Sequence, residues 1–272
     1  MSLPLSIYRA RRLAWHGGEL SMGERSVPEE TAVAFTYNRL TQAVMMATPA
    51  DLEDFAIGFS LTEGVVAAPE EIEALDIVPT ALGIELRMDV APRAAHVAAE
   101  RRRTAAGPVG CGLCGMESLE QAMRAVPHVV TNHKFPAQSV AAAVAALPAH
   151  QKLNHDTRAV HAAAYWEPNA GLLALREDVG RHNALDKLAG ALARGSKRAD
   201  DGIVVLTSRL SVELVQKAAA MGVSVLVGVS AVTALALRVA EEANITLIGI
   251  ARDDGFEIFA HAERIEAVQH VA

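Results

Sequence analysis

The stretch IVVLTSRLSVELVQKAAAMGVSVLVGVS, residues 203–230, decides the fold class. Ile203–Leu206 and Val223–Val229 are short β-branched runs, and Val212–Met221 between them places apolar residues at helical spacing. Strand, helix and strand in that order make a βαβ unit, whose two strands run parallel. Working outward, the alternation recurs on both sides. Gly171–Leu175 reads as a strand ahead of a helix at Asn183–Arg194, and a helix at Thr233–Ala243 precedes a strand at Ile245–Ile250. The expectation is an α/β unit with a mostly parallel sheet, covered by helices on both faces.

The N-terminal part reads differently, as α+β. Thr31–Tyr37 and Thr41–Ala47 look like strands joined at Asn38-Arg39. Thr48-Pro49-Ala50-Asp51 then reads as a helix start with Thr48 as its cap; Leu52, Phe55, Ala56 and Phe59 follow at helical spacing, and Gly64 stops the helix. Ile84–Val90 alternates strictly and is the clearest half-buried strand. From Ala91 to Val109 the pattern dissolves into Pro, Ala, Gly and Arg101-Arg102-Arg103, which reads as a connection with a solvated arginine face. A helix is expected from about Glu117, and another over Ala137–Leu147 that Pro148 closes. The chain thus divides into an α+β part (1–105), a glycine-rich cysteine loop (106–118) and an α/β part (119–272).

With 272 residues, 51% hydrophobic and 21% charged, the chain can build a large core and is not disordered. Aromatics are only 4%, so Ala, Val, Leu and Ile fill that core. A net charge of −7 argues against a general nucleic-acid binder, which needs a basic footprint. At the N-terminus the basic residues follow a short apolar stretch, the reverse of a signal peptide. Ala218–Leu237 is long enough to span a bilayer but is broken by Met221-Gly222 and Ser230, so no membrane partner is expected and the location reads as cytoplasmic. Two cysteines are too few for a secreted disulfide scaffold.

Both cysteines lie in Gly107-Pro108-Val109-Gly110-Cys111-Gly112-Leu113-Cys114-Gly115. Four glycines and a proline oppose helix or strand, so the pair is expected on a mobile, exposed loop, whereas inert cysteines are usually buried. A structural zinc needs four ligands, and the zinc deaminase pattern needs a His-x-Glu upstream; the chain's His261-Ala262-Glu263 lies far downstream. A thioredoxin-like dithiol would follow a strand and open a helix, which this segment does not. The formal G-x-G-x-x-G of residues 110–115 also lacks its preceding strand. A sulfur relay, in which an exposed thiolate takes up sulfur as a persulfide, suits the loop without being required by it.

Several motifs in one order make the chain resemble the FdhD family. They are Gly110–Gly115, His161-Ala162-Ala163-Ala164, the stretch Arg176–Lys187 (REDVGRHNALDK), Arg209–Lys217 (RLSVELVQK), and the block from Val229-Ser230-Ala231 to Ile245-Thr246-Leu247. The resemblance implies a sulfurtransferase that takes sulfur from a cysteine desulfurase. The sulfur passes to the molybdenum cofactor, bis-molybdopterin guanine dinucleotide, held as a bound substrate before it enters formate dehydrogenase. It further implies a cytidine-deaminase-like three-layer fold without the zinc site, no structural metal, and a homodimer. Cys111 would be the persulfide carrier with Cys114 auxiliary, and Ile250, Ala251, Arg252, Asp253, Asp254 and Gly255 would form a cofactor segment. Thr157-Arg158-Ala159-Val160 stands where relatives carry Thr-Gly-Gly, Ser208 where they carry Gly, and Val232 where they carry Pro.

Among the polar residues, Arg181 and His182 follow an expected strand and open an expected helix, the position at which α/β sheets bind anions. They are candidate cofactor contacts; the alternative is an ion-paired helix start capped by Asp178, with Asp186 and Lys187 along its exposed face. His161, standing before three alanines, reads first as a hydrogen-bonded core histidine, and the resemblance brings a cofactor contact level with that reading. Arg209, just past a strand end, offers forked donors that match phosphate. The rival functions are a dithiol oxidoreductase and a non-catalytic cofactor-binding chaperone.

Overall fold

The strict alternation of Ile84–Val90 makes a strand that buries Ile84, Leu86, Met88 and Val90 and turns Glu85, Arg87 and Asp89 outward. In the computed structural model, which describes residues 2–104, 125–252 and 254–266, this strand is β6 of a four-stranded sheet. The order is β4-β3-β6-β5, with β3 at Thr31–Tyr37, β4 at Leu40–Ala47 and β5 at Ile72–Pro79. Asn38 and Arg39 both take left-handed φ (45° and 69°), as a two-residue hairpin turn requires. Helix α1 (Leu52–Thr62) covers the inner face, where Phe35 stacks on Phe59 at 4.0 Å and meets Phe55 edge-on at 4.9 Å. Ahead of the sheet, β1 (Ile7–His16) and β2 (Glu19–Pro28) form an antiparallel ribbon.

Two expectations for this half are corrected. Thr48 does not cap α1: Asp51 occupies the cap position, and Thr48 is buried in contact with the C-terminal half. Residues 92–104 are helix α2 (Pro92–Thr104), not connection. Pro92 suits a first helical turn, and the buried side chains among those described are Ala94 and Ala98, too small to register as an apolar stripe.

The second sheet has the order β13-β12-β11-β10-β8-β9. Its strands are β8 (His161–Glu167), β9 (Gly171–Asp178), β10 (Ile203–Leu206), β11 (Val225–Gly228), β12 (Thr246–Arg252) and β13 (Gly255–Ala260). Only β10, β11 and β12 run parallel; β8, β9 and β13 join antiparallel, so the mostly parallel sheet is corrected to a mixed one. The reason is covalent: the links between β8 and β9 and between β12 and β13 are hairpin-short, and a parallel crossover needs a dozen residues or more.

Helices α6 (Arg181–Arg194), α7 (Val212–Ala220) and α8 (Ala234–Ala243) cover one face, packing Leu185, Leu188, Leu214 and Ala240 near Val204, Leu206, Leu226 and Leu247. Helix α3 (Ala137–Ala145) covers the other, with Val140 and Ala143 in one cluster with Val205, Val225 and Val227. Pro148 does not end the helical path: it is the second residue of a short α4 (Leu147–His150), followed by α5 (Lys152–Thr157). Two-residue strands β7 (Phe135–Pro136) and β14 (Ile265–Glu266) pair in parallel. The helix expected from Glu117 and the loop 106–118 lie outside the described residues. Ala218–Leu237 divides among the end of α7, β11 and the start of α8, and no helix among the described residues is long and apolar enough to cross a membrane.

The two sheets are joined through α1 and α6. Gly58 and Gly190 let the helix backbones touch: a Cβ on Gly58 would overlap the Asp186 carbonyl oxygen, and one on Gly190 the Asp54 carbonyl oxygen. Buried ion pairs bracket the contact. Lys187 Nζ lies 2.6 Å from Asp178 Oδ2, and Lys217 Nζ lies 2.9 Å from Asp186 Oδ1 and 2.6 Å from Glu63 Oε1.

Candidate functional site

One edge of the six-stranded sheet gathers the motif residues. The parallel strands β10, β11 and β12 end there, β9 ends there at Asp178, and β8 begins there at His161, directly opposite Asp178 in register. The chain then turns through Val179-Gly180 into α6, so Arg181 and His182 form its first turn. Arg209 is exposed between β10 and α7. Ser230–Thr233 ties the edge together: Leu210 N donates to Ala231 O, Thr233 N to Leu210 O, and Ile250 N to Ser230 O.

The turn before α6 is rigid. Asp178 is fully buried and accepts four hydrogen bonds, from Gly180 N (2.8 Å) and Asn183 Nδ2 (2.9 Å) on one oxygen and from Thr48 N (3.0 Å) and Lys187 Nζ (2.6 Å) on the other. It therefore does not cap α6, whose cap position is Gly180 without a side-chain bond. Nor do Asp186 and Lys187 lie on an exposed face: both are 0% exposed and serve the α1–α6 contact.

His182 Nε2 sits 2.7 Å from Glu213 Oε2, an ion-pair contact between two half-buried groups at the first turns of α6 and α7. Glu213 is held below the usual carboxylate range, first by that histidine and then by the charges of Arg181 and Lys217. His161 titrates below an ordinary histidine because burial disfavours its cation, with Arg181 and His182 adding to the effect and Asp178 opposing it. Three buried polar atoms here have no hydrogen-bond partner among the described residues: Arg181 Nε, Ser211 Oγ and His182 Nε2, whose close approach to Glu213 lacks hydrogen-bond geometry. Ser211 occupies the cap position of α7 without making a cap bond, and α6 likewise starts uncapped. Two helix N-termini with free N–H groups and an arginine with a spare donor suit a phosphate-bearing ligand.

Ile250 and Ala251 continue β12 toward this edge, and Ile250 takes φ 52°, a strained value for a β-branched residue and a mark of functional sites. Arg252 pairs with Gly255 (φ 142°) across a tight turn that exposes Arg252 and Asp254. From His161 on β8 to Arg252 on β12 there are three strand spacings, about 14 Å, so the edge accommodates an extended ligand. Asp253, Cys111 and Cys114 lie outside the described residues.

Two cavities lie elsewhere. One of ≈ 350 Å³ is lined by His128, Arg198, Asp200 and Met221, and one of ≈ 210 Å³ by Leu61, Leu192, Lys197 and Met221. His133, Asp200 and Asp201 approach one another near the first, but Arg198 already pairs with Asp200 at 2.8 Å, which disfavours a cation there. Sequence reasoning passed over Glu213 and Ser211. Their signal was the position of both residues at a helix start just after Arg209.

Residues 28–266 match the FdhD/NarQ family. A protein from Agrobacterium fabrum named sulfur carrier protein FdhD is 52% identical over 97% of this chain and 98% of its own length. A protein of the same name from Brucella abortus is 56% identical over 89% of this chain and 90% of its own. In fold, the chain is similar to a crystal structure from Desulfotalea psychrophila described as a formate dehydrogenase accessory protein, with a TM-score of 0.76 at 24% identity, covering 97% of this chain and all of the other.

Proposed function

From the premise that the chain belongs to the FdhD/NarQ family, we propose that it is a sulfur carrier that serves formate dehydrogenase. Its donor is a cysteine desulfurase. The Cys111 thiolate attacks the terminal sulfur of the donor's persulfide, the donor's S–S bond breaks, and the donor cysteine leaves as thiolate while Cys111 holds the sulfur. Cys114 is the auxiliary thiol. The acceptor is a substrate, the molybdenum cofactor in its bis-molybdopterin guanine dinucleotide form, and the protein gives up the sulfur to it before it enters formate dehydrogenase.

The observation that supports this reading is the convergence of His161, Arg181, His182, Arg209 and Ile250–Arg252 on one sheet edge, beside the unpartnered Arg181 Nε. Arg181, Arg209 and Arg252, with the uncapped starts of α6 and α7, hold the pyrophosphates. Asp253 and Asp254 accept guanine N–H groups. Neutral His161 donates or accepts a hydrogen bond without adding charge. Three layers around strands β10–β12 fit a cytidine-deaminase-like arrangement without its zinc. Two copies act together, in the cytoplasm, where thiols stay reduced.

The test is mass spectrometry after incubation with cysteine and a desulfurase. The wild type gains one sulfur and Cys111→Ala gains none. Equal gain by both would remove Cys111 as carrier. Complementation of a strain lacking the protein, read as formate dehydrogenase activity, completes the test: full activity with Cys111→Ala but none with Arg181→Ala would leave only a binding chaperone.

A further inference from the structure

The β1–β2 ribbon carries an apolar face that the proposed chemistry does not use. Its register sets Leu13 opposite Met22 and Trp15 opposite Leu20, so the four side chains share one face at the far end. They are between 62% and 85% exposed. An isolated two-stranded ribbon is marginal in water, and such a patch on it marks an interaction surface. Arg9 and Arg11 extend the same face toward the base, where Glu24 stands opposite Arg11, leaving that face a net +1. Residues 7–28 hold four arginines against two glutamates, a net +2 on a chain of net −7, which leaves −9 on the remainder.

We infer that the ribbon is an arm that docks on a second copy of this chain, laying Leu13, Trp15, Leu20 and Met22 on the outer face of that copy's four-stranded sheet and receiving its arm in return. The inference rests on the two-copy reading above and names its surface. On that outer face Val44 and Met46, 42% and 40% exposed, lie beside Ala34 and Ala32 in register. The neighbouring strands add Glu85, Asp76 and Asp89 to the same face, with Arg87 among them at 2.7 Å from Glu85, a net charge of −2. An apolar half beside a net-acidic half matches the ribbon's apolar end beside its net-basic base.

Size agrees. Ten-residue strands make an arm about 34 Å long and about 10 Å wide. Two exchanged arms, counted with the surfaces they cover, bury roughly 1,300 Å², the size of a standard stable interface. Charge selects among occupants. An anionic lipid surface would attract the arm but repel the −9 remainder, whereas a second copy offers carboxylates to the arginines.

The experiment is sedimentation velocity on the full chain at micromolar concentrations. It compares wild type, a Leu13→Ser/Trp15→Ser variant and an Arg9→Glu/Arg11→Glu variant, with thermal melts to check folding. The wild type is expected to be a dimer, and each variant to raise the dissociation constant at least about tenfold. A photo-crosslinking phenylalanine in place of Trp15, in an otherwise wild-type chain, is expected to label residues 32–46 of the other copy in an isotopically mixed sample. A monomeric wild type, even one that floats with anionic vesicles, would overturn both the arm and the two-copy reading. A dimer that neither ribbon variant weakens, or a crosslink that falls elsewhere, would overturn the arm alone.

Discussion

Replacing Lys187 by Met removes the one cation that, among the described residues, faces Asp178 within hydrogen-bond reach. Lys187 Nζ gives 2.6 Å and 2.9 Å bonds to Asp178 Oδ2 and Thr48 O, with both charged side chains 0% exposed. Methionine fills nearly the same volume, so the cost is electrostatic, that of an uncompensated buried carboxylate, about 3–5 kcal/mol. Gly180 N, Asn183 Nδ2 and Thr48 N still donate to Asp178, which sets the expectation near the low end, about 3 kcal/mol. With a urea dependence of about 3 kcal/mol per molar, the unfolding midpoint falls by roughly 1 M. Fluorescence of Trp166, near the far end of β8, follows the transition. In Lys187→Met/Asp178→Asn neither position carries a charge, so the double variant should be more stable than Lys187→Met alone by about 1 kcal/mol or more. A Lys187→Met midpoint within about 0.3 M of wild type, or a double variant that sums the two single losses, would refute the reasoning.

Gly58→Ala is expected to cost about 3 kcal/mol, because its methyl has nowhere to go except into the Asp186 carbonyl. Gly23→Ala, where a Cβ meets only the Arg12 guanidinium at 3.9 Å, is the control and should cost under about 0.5 kcal/mol; equal midpoints for the two would dismiss the helix contact. Arg158 takes φ 58° and ψ 29°, the left-handed region, so Arg158→Gly relieves about 1–2 kcal/mol of strain, returns about half to the freer unfolded chain, and should raise the midpoint slightly. A lowered midpoint would mean that the Arg158 side chain matters more than its backbone. His161 is shifted below its usual 6.5, so below about that pH the unfolded chain binds more protons than the folded one. Wild-type stability should therefore decline as pH falls through 6.5 and level off below the lowered value, and His161→Gln should flatten that decline; parallel curves would disprove the shift.

Periodicity revealed elements wherever large apolar residues marked the buried face, as in Ile84–Val90 and Val212–Ala220. It failed where alanine did the packing. Strand β8 reads HAAAYWE, and its core residues Ala162, Ala163 and Ala164 carry no β-branched signal. Without β8, its hairpin with β9 is invisible, and each strand read in the C-terminal half needs a crossover. Hence the parallel sheet was overestimated. Helix α2 hid for the same reason, its buried side chains being alanines. The ribbon β1–β2 escaped notice because most of it is exposed and little of it alternates.

Arg181, His182 and Arg209 were legible because strand-to-helix punctuation places them at a sheet edge, but what frees them to bind was not. Charged residues are rarely buried unless paired, so Asp178, Asp186, Lys187 and Lys217 read as surface. Their partners lie far off in sequence: Thr48 reaches Asp178 across 130 residues and Thr62 reaches Asp186 across 124. The hidden pairing nonetheless governs the visible site. An aspartate three residues before Arg181 would ordinarily neutralise that guanidinium. Here both Asp178 oxygens are already filled, by Gly180, Asn183, Thr48 and Lys187. Glu213, the other nearby acid, is drawn to His182 at 2.7 Å. Arg181 thus keeps Nε without a partner among the described residues, and its charge stays available to an anion from outside. Lys187 does more than hold the sheets together, since removing it would leave Asp178 Oδ2 with Thr48 N alone and an uncompensated carboxylate three residues before the arginine that the site depends on.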